Sequence, residues 1–353
     1  MTTIAVLGSA NMDLVVQMAR LPLPGETIFG SSFTTVPGGK GLNQAVAAAR
    51  MGGTVDFLGA VGTNAYGRDL HTLMTAEGMR TTGLALVDAP TGTAHISVVG
   101  SGENSIVVVS GANACVTALT DVQHATIESS AFLVMQCELP LSALVEGIAV
   151  ARAAGVFTVL TPAPVMPFPE GFLASVDLIV PNQIEASELT GESDPVRAAE
   201  VLSADQTWAI VTLGAEGAVI AHDGVVLGLA PARPVKAVDT TAAGDTFVGA
   251  LVARLAALRG AGSTDAAAAS GSSSGSAAAS GSAAASGSAA ASGSAAGSGS
   301  SSADAAASAR STISESDMIE AVRWATVASS IAVTRAGATS SMPTLAEVAA
   351  ILA

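Results

Sequence analysis

Val238-Asp239-Thr240-Thr241-Ala242-Ala243-Gly244-Asp245-Thr246-Phe247 is the stretch around which the chain is organised. Past this small-residue turn runs an amphipathic segment, Thr246 to Leu258, with Phe247, Leu251, Leu255 and Leu258 near helical spacing. The turn therefore reads as a helix N-terminus. Ala242, Ala243 and Gly244 carry little or no side chain, so their N–H groups are open to an incoming group. Bare amides at a helix N-terminus make a ready anion site. Asp245 sits in that site, where its charge does not help hold an anion. A carboxylate beside a phosphate cradle is explained as a base that takes a proton from an attacking hydroxyl. Taken alone, the residue also reads as an ordinary Asp capping its helix.

Composition narrows the class. The chain has 353 residues, 50% hydrophobic but only 3% aromatic, so its core must be close-packed Ala, Val, Leu and Ile. The 37 glycines suit an α/β protein with many tight strand-to-helix turns. A net charge of −15 argues against a nucleic-acid or anionic-membrane partner. It does not argue against a nucleotide, whose phosphates can be held by amides, one lysine and a metal ion. Cys115 and Cys137 lie in apolar surroundings and read as reduced, buried thiols. The start, Met1-Thr2-Thr3, runs straight into strand-like Ile4-Ala5-Val6-Leu7, with no signal peptide and no apolar run of membrane-spanning length. These features read as a cytoplasmic protein.

Strand and helix signals alternate along the chain. Asn11 and Asp13 follow the first apolar strand, where open α/β sheets place ligands, although an Asx turn explains them too. Gly38-Gly39-Lys40-Gly41-Leu42-Asn43-Gln44 opens a helix that Gly52-Gly53 stops. Lys40 and Asn43 fall on one side of its first turn and can face one small molecule. Lys40 is followed by Gly41, so this is no Walker A loop. Short strands between Leu14 and Phe33, and a hairpin of Thr93–Val99 with Ser105–Val109, suggest a small sheet outside the main one. Glu138, Asn182 with Glu185, and Thr212 with Gly214 each follow an apolar strand. In a parallel sheet such loops share one edge, and so they can line a single cleft. Repeated strand–loop–helix units predict an α/β fold with a doubly wound, mostly parallel central sheet flanked by helices.

Residues 260–309 are almost wholly Ser, Ala and Gly, with nothing large to bury. They read as a flexible insertion in a single domain spanning 1–353, looping out because closure cost grows only logarithmically with length. The fold is expected to resume in a helix from Ser316 to Val333 and to end in a short helix near Pro343.

Several chemistries lack their residues. There is no HExxH, no CxxC pair and no metal-spaced His cluster among His71, His95, His124 and His222. No G-x-G-x-x-G follows the first strand, which leaves a nicotinamide dinucleotide fold with little support. Asn182 and Glu185, three apart at a helix start, suit an Mg²⁺ held largely through water and phosphate; a helix capping box fits the same spacing.

Two motifs, Gly38-Gly39-Lys40-Gly41-x-Asn43-Gln44-Ala45 and Asp239-Thr240-x-Ala242-Ala243-Gly244-Asp245-Thr246-Phe247, resemble the paired signatures of the ribokinase (pfkB) family of carbohydrate kinases. Gly8-Ser9-x-Asn11-x-Asp13, Met135-Gln136-x-Glu138, Pro181-Asn182-x-x-Glu185 and Thr212-Leu213-Gly214 extend the resemblance to the whole chain outside the insertion. The resemblance implies a small β-sheet lid, from strands within about 12–36 and 92–110, that covers a sugar and pairs with a second lid in a homodimer. Ile96, Val98 and Val107 on those strands would then face the partner lid or their own core.

Carried over residue by residue, the resemblance implies that Asn11, Asp13, Gly39, Lys40, Asn43 and Glu138 hold sugar hydroxyls. Asp245 would be the base, with the Ala242, Ala243 and Gly244 amides stabilising the transferred phosphoryl group. Asn182, Thr212, Gly214, Gly217, Gly244 and Thr326 would line the ATP site, Thr326 standing where family members often place a His against adenine. Asn182 with Glu185 would organise Mg²⁺. An activating K⁺ would use Asp239, Thr241, Ala332, Arg335, Gly337 and Ser341, largely through carbonyls. The implied reaction is ATP-dependent phosphorylation of D-ribose at O5. Alternatives are a kinase for deoxyribose, fructose or adenosine, or a sugar sensor without catalysis. Retention of Asp245 beside Gly244 argues against the sensor, which needs no base.

Overall fold

A computed structural model describes residues 2–100, 104–271 and 313–353. In chain order it begins with β1 (Thr3–Leu7), β2 (Asn11–Met18), β3 (Ser32–Gly38), α1 (Lys40–Arg50), β4 (Thr54–Gly62), α2 (Ala65–Ala76), β5 (Leu84–Val87), β6 (Gly92–Val99) and β7 (Asn104–Val109). There follow α3 (Asp121–Glu128), β8 (Phe132–Gln136), α4 (Leu141–Ala154), β9 (Phe157–Thr161), β10 (Leu178–Ile179), α5 (Gln183–Thr190), α6 (Pro195–Leu202), β11 (Trp208–Thr212), β12 (Ala218–His222) and β13 (Val225–Ala230). The last elements are α7 (Ala243–Gly271), α8 (Glu315–Ala332) and α9 (Leu345–Leu352).

The large sheet has the order β13-β12-β11-β10-β9-β8-β1-β4-β5. From β5 to β11 the strands are parallel; at one edge β12 alone runs the other way, pairing antiparallel with β11 and β13. Because strand side chains alternate, Ile4 and Val6 of β1 face one core, with Leu42 of α1, Leu251 of α7 and Val322 of α8. Ala5 and Leu7 face the other, with Leu144 and Ile148 of α4. Both faces are covered, as a doubly wound sheet requires. The second sheet, β3-β2-β6-β7, is mixed: β2 pairs antiparallel with β3 and parallel with β6, and β6 forms the expected hairpin with β7.

The structure departs from the sequence reading at a few elements. Strand β5, helices α3 and α6 and the β12–β13 hairpin are short and were not expected, although Thr120 caps α3 and Asp194 with Pro195 opens α6. Residues 260–271 continue α7 rather than opening the insertion, since a helix already four turns long extends through small residues at little cost. The rest of the expected insertion, with 272–312, lies outside the described residues. Cys115 is exposed in a 3₁₀ turn, Gly111–Cys115, whereas Cys137 is buried as expected, and burial pushes its thiol up to about 12. Among the described residues no helix is long and apolar enough to cross a membrane.

Helices α1 and α7 pack at backbone distance. A Cβ on Gly249 would lie 2.5 Å from the Ala47 Cβ and 2.5 Å from the Gln44 carbonyl oxygen. Ala45, Ala47 and Ala48 keep the facing helix equally slim. Gly249→Ala should therefore force the helices apart and cost about 1–3 kcal/mol. Urea unfolding checks this through a lower midpoint at an unchanged m-value; a wild-type midpoint would show that the contact can relax freely.

Candidate functional site

The site gathers where β1, β8, β10 and β11 end and where α1 and α7 begin. Neighbours on either side of β1 are reached in opposite directions, to β4 and to β8, so this edge holds a topological switch point, the usual ligand crevice of open α/β sheets.

Asp245, in the first turn of α7, is only 9% exposed. Its Oδ2 accepts the Asn43 side-chain amide at 3.0 Å and its Oδ1 accepts that of Gln44 at 3.0 Å. The close α1–α7 contact brings these partners in from the facing helix. Burial raises the Asp245 carboxyl above the ordinary range, while Lys40, Asn43 and Gln44 pull it back and Glu138 pushes it up. Gln44 in turn donates to Thr161 Oγ1 at 3.2 Å and accepts from Gln136 at 2.7 Å.

Beside this carboxylate lies a polar cluster. Ser9 Oγ donates to Glu138 Oε2 at 2.5 Å, and the Lys40 backbone N–H donates to the same oxygen at 3.0 Å. The Asp13 carboxylate lies across Gly38, where a Cβ would come within 2.2 Å of its Oδ2. Gly39, at φ 90°, passes so near Asn11 that a Cβ would sit 2.9 Å from the Asn11 backbone nitrogen. Asn11 is buried, with its side-chain oxygen accepting from Asn113 at 2.7 Å. Burial pulls the Lys40 ammonium down, but Asp245, Glu138 and Glu185 outweigh it and leave the group above its usual range. Asn43 Oδ1 is buried with no partner. Sugar hydroxyls, each donor and acceptor at once, match such a mix of carboxylate, amide and ammonium.

At the anion turn, Ala242 adopts φ 56°, and the first intrahelical bond runs from Thr246 N–H to the Ala242 carbonyl at 2.9 Å. The amides of Gly244 and Asp245 precede that bond and so lack intrahelical acceptors. A Cβ on Gly244 would meet nothing within 4 Å, so open space lies before it. The Ala243 N–H differs from the sequence reading: it already donates to the Thr240 carbonyl at 3.2 Å, because the residue closes the turn. Ser329 of α8 fastens the turn from behind by donating to the Ala243 carbonyl at 3.1 Å.

On the nucleotide side, Asn182 and Thr212 form an isolated parallel bridge. Gly214 and Gly217 flank a 3₁₀ turn with φ 59° and 109°, and at Gly217 a Cβ would lie 2.0 Å from the Ala230 carbonyl oxygen. Thr326 is buried in α8 and gives its hydroxyl to the Val322 carbonyl at 2.8 Å. The spacing of Asn182 and Glu185 makes a capping box: Asn182 Oδ1 accepts two helix amides, and Glu185 Oε2 accepts the Asn182 N–H at 2.8 Å. The Asn182 oxygen is therefore occupied, whereas Glu185 uses only Oε2 in the cap, so Oε1 would be the anionic oxygen that fits a divalent ion. Burial raises the Glu185 carboxyl, with Lys40 and Asp245 also acting on it, so this carboxylate shares the electrostatics of the main site. Among the described residues no group of three or more His, Cys, Asp or Glu could hold a metal, which leaves phosphate oxygens and water to complete an Mg²⁺ shell.

Three of the residues expected at a monovalent ion, Asp239, Thr241 and Gly337, meet. Asp239 Oδ1 accepts the N–H and hydroxyl of Thr241 at 2.9 and 2.6 Å, and Oδ2 accepts the Gly337 N–H at 2.8 Å. Oδ1 thus closes its own turn, and Oδ2 ties that turn to the Gly337 loop. The Asp239 N–H donates to the Val333 carbonyl at 3.2 Å, just past Ala332 at the end of α8; Arg335 follows in the next turn and Ser341 ends a separate 3₁₀ turn, Thr339–Ser341. Hard carbonyl and hydroxyl oxygens of this kind fit K⁺.

Sequence reasoning assigned no role to Ser9, Gln44, Asn113, Gln136 or Thr161, all buried polar side chains bonded to site residues or their partners. Gln44 and Gln136 stood within quoted motifs, and Gln136 is a polar residue ending an apolar strand, which was the available signal. Asn113 comes from a distant turn that carries none.

Comparison with known proteins agrees with this geometry. The model of the pfkB family carbohydrate kinases matches residues 1–301. A ribokinase of Haemophilus influenzae is 40% identical over 264 residues, covering 72% of this chain and 85% of its own. One from Bacillus subtilis is 40% identical over 260 residues, covering 72% and 86%. The crystal structure of Thermotoga maritima ribokinase superposes with TM-score 0.77 at 30% identity, covering 100% of this chain and 99% of that one. Arabidopsis thaliana ribokinase, complexed with ribose and ATP, gives TM-score 0.77 at 26% identity with the same coverage.

Asp13 provides a direct test of the cluster. Burial first, then Glu138 and Asp245, push its carboxyl from 3.8 up to about 7. With the folded value raised, Asp13 contributes stability that is full below about pH 4 and lost as pH climbs through about 7. Asp13→Asn is uncharged at every pH, so without sugar it should melt above wild type at pH 8, with the gap closing toward pH 4. Calorimetry at both pH values checks this, and an equal gap at each would remove Asp13 from the coupled cluster.

Proposed function

The chain belongs to the pfkB family of carbohydrate kinases, and we propose from that premise that it transfers the γ-phosphoryl group of ATP to O5 of D-ribose. One observation carries the reading: a buried carboxylate, held by two amides, stands beside open helix amides and a hydroxyl-matching polar cluster. Asn11, Asp13, Gly39, Lys40, Asn43 and Glu138 hold the sugar, and the orphaned Asn43 Oδ1 gains a hydroxyl donor. Each hydroxyl missing from a wrong sugar leaves one of these buried groups unpaired, which favours a free pentose. Asp245 takes the proton of the attacking hydroxyl. The Gly244 amide, with the Ala242 amide of the same turn and without that of Ala243, meets charge that builds on the transferred phosphoryl group. Asn182, Thr212, Gly214, Gly217 and Thr326 line the nucleotide site.

Mg²⁺, held by Glu185 through water and phosphate, would supply charge neutralisation on the phosphates, with Asn182 fixing the helix start. K⁺ at the joined loops of Asp239, Thr241, Ala332, Arg335, Gly337 and Ser341 would stiffen the adjoining turn. The small sheet closes over the sugar, which keeps water, the competing acceptor, from the phosphoryl group. Its outward apolar residues, Phe33 at 59% and Val107 at 62% exposed, support pairing with a second copy in a homodimer. We place the enzyme in the cytoplasm, and we take the part of the insertion that follows α7, from 272 to 309, as a stretch that the kinase does not use.

ADP formation from ATP and Mg²⁺ should be highest with D-ribose among ribose, 2-deoxyribose, fructose and adenosine, and should rise with K⁺. Asp245→Asn should lower kcat by a factor on the order of 10²–10⁴. Preference for another sugar would replace the substrate and keep the mechanism; full turnover in Asp245→Asn would sink the base. A chain lacking residues 272–312 should keep turnover near the full-length value, and loss of turnover with folding intact would assign that stretch a role.

A further inference from the structure

Gln44 and Gln136 are 1% and 0% exposed, and form a chain of amides leading to Asp245. A carboxylate only accepts hydrogen bonds, so Gln44 must present its NH₂ to Asp245 Oδ1. Its second N–H goes to Thr161 Oγ1, and its oxygen then faces away to receive Gln136 Nε2. Turned over, Gln44 would set an oxygen against a carboxylate and its NH₂ against the NH₂ of Gln136. One orientation therefore satisfies every polar atom of Gln44. The chain ends on Gln136 Oε1, which is buried without a partner against Gly8, where a Cβ would lie 2.2 Å away. An unpaired buried carbonyl costs stability, and an apolar side chain at position 136 would avoid it. The orphaned oxygen marks a chain directed at Asp245 rather than one built for the core alone.

We propose that Gln44, oriented by Gln136, is a positioning residue that aims Asp245 and keeps it ionised. The inference rests on the reading of Asp245 as the base. Asn43 fixes Oδ2 and Gln44 fixes Oδ1, so the carboxylate cannot swing about its terminal torsion. A donor on the charged form also opposes burial, which favours the neutral acid. Lys40 from α1, Asp13 from β2, Glu138 after β8 and Glu185 from α5 act on the same carboxylate or are acted on by it. All four remain in the variants that test the relay.

The experiment is kcat against pH at saturating sugar, where bound hydroxyls hold Asp13 ionised and the acid limb reports Asp245. Gln44→Met should lose roughly tenfold or more in kcat at neutral pH, with the acid limb raised by about one unit. Its sugar KM should move by less than about threefold. Gln136→Met touches no carboxylate, and should raise the limb by a smaller amount. Gln44→Glu keeps the shape but turns an acceptor toward Asp245, and should raise the limb furthest. Folded Met variants with an unmoved limb would overturn the proposal; if neither folds, an unmoved limb in Gln44→Glu overturns it. Asp245→Asn runs alongside: full turnover there defeats the base itself, whereas an inactive Asp245→Asn beside an unaltered Gln44→Met removes only the relay.

Discussion

Backbone contact between α1 and α7 sets the geometry on which everything else rests. Gly249 on α7 and the alanines of α1 let the two helix axes approach until side chains of average size would collide. One turn above Gly249, that proximity puts Asp245 within hydrogen-bond reach of Asn43 and Gln44. Had the helices packed on leucines, an interaxial gap of the usual 8–10 Å would leave the carboxylate short of its donors. The small residues at this contact are thus a condition of the chemistry.

Electrostatics then decide how the site can tolerate its own charge. Asp13, Glu138, Glu185 and Asp245 act on one another or on Lys40, and Lys40 is the cation common to Asp245, Glu138 and Glu185. Burial favours protonation at Asp13 and Asp245, while amide donors favour ionisation at Asp245 alone. Two carboxylates in one pocket are thereby given different environments: one half-protonated near neutrality, the other held by fixed dipoles. A base needs the second environment, and a hydroxyl-binding group can accept the first.

Much of this was legible from residues alone. The small-residue turn that opens α7, the Gly-rich start of α1, and the apolar strands β1, β8, β10 and β11 with polar residues after them were legible, because strand periodicity and small-residue turns are local signals; the Ala243 amide, taken by the Thr240 carbonyl, was not. The partners of those residues were less legible. Asn113 reaches Asn11 across 102 residues, and Gln136 reaches Gln44 across 92. No spacing rule joins such positions. Capping at Asn182 shows the opposite limit: the same three-residue spacing serves a cap and an ion, and only the hydrogen bonds show that the cap takes the asparagine oxygen. The end of α7 was misjudged since Ser, Ala and Gly set no stop of their own once a helix is nucleated.

The anion turn and Asp245, the proposed base, lie on one helix. Gly244 offers its amide from the residue before Asp245, so any shift of α7 moves cradle and carboxylate together. The relative position of anion cradle and carboxylate is fixed by one peptide unit, while their position relative to a bound sugar depends on α1. Ser329 braces the turn from α8, and Asp239 binds it to the Gly337 loop, so α7 is held from two further sides. The active geometry therefore depends on three helices meeting at one N-terminus, two of them separated in sequence by the stretch beyond Gly271. Length in that stretch is tolerable only because α7 and α8 pack side by side, so that their mutual contact, rather than the connection, sets where Ser329 stands.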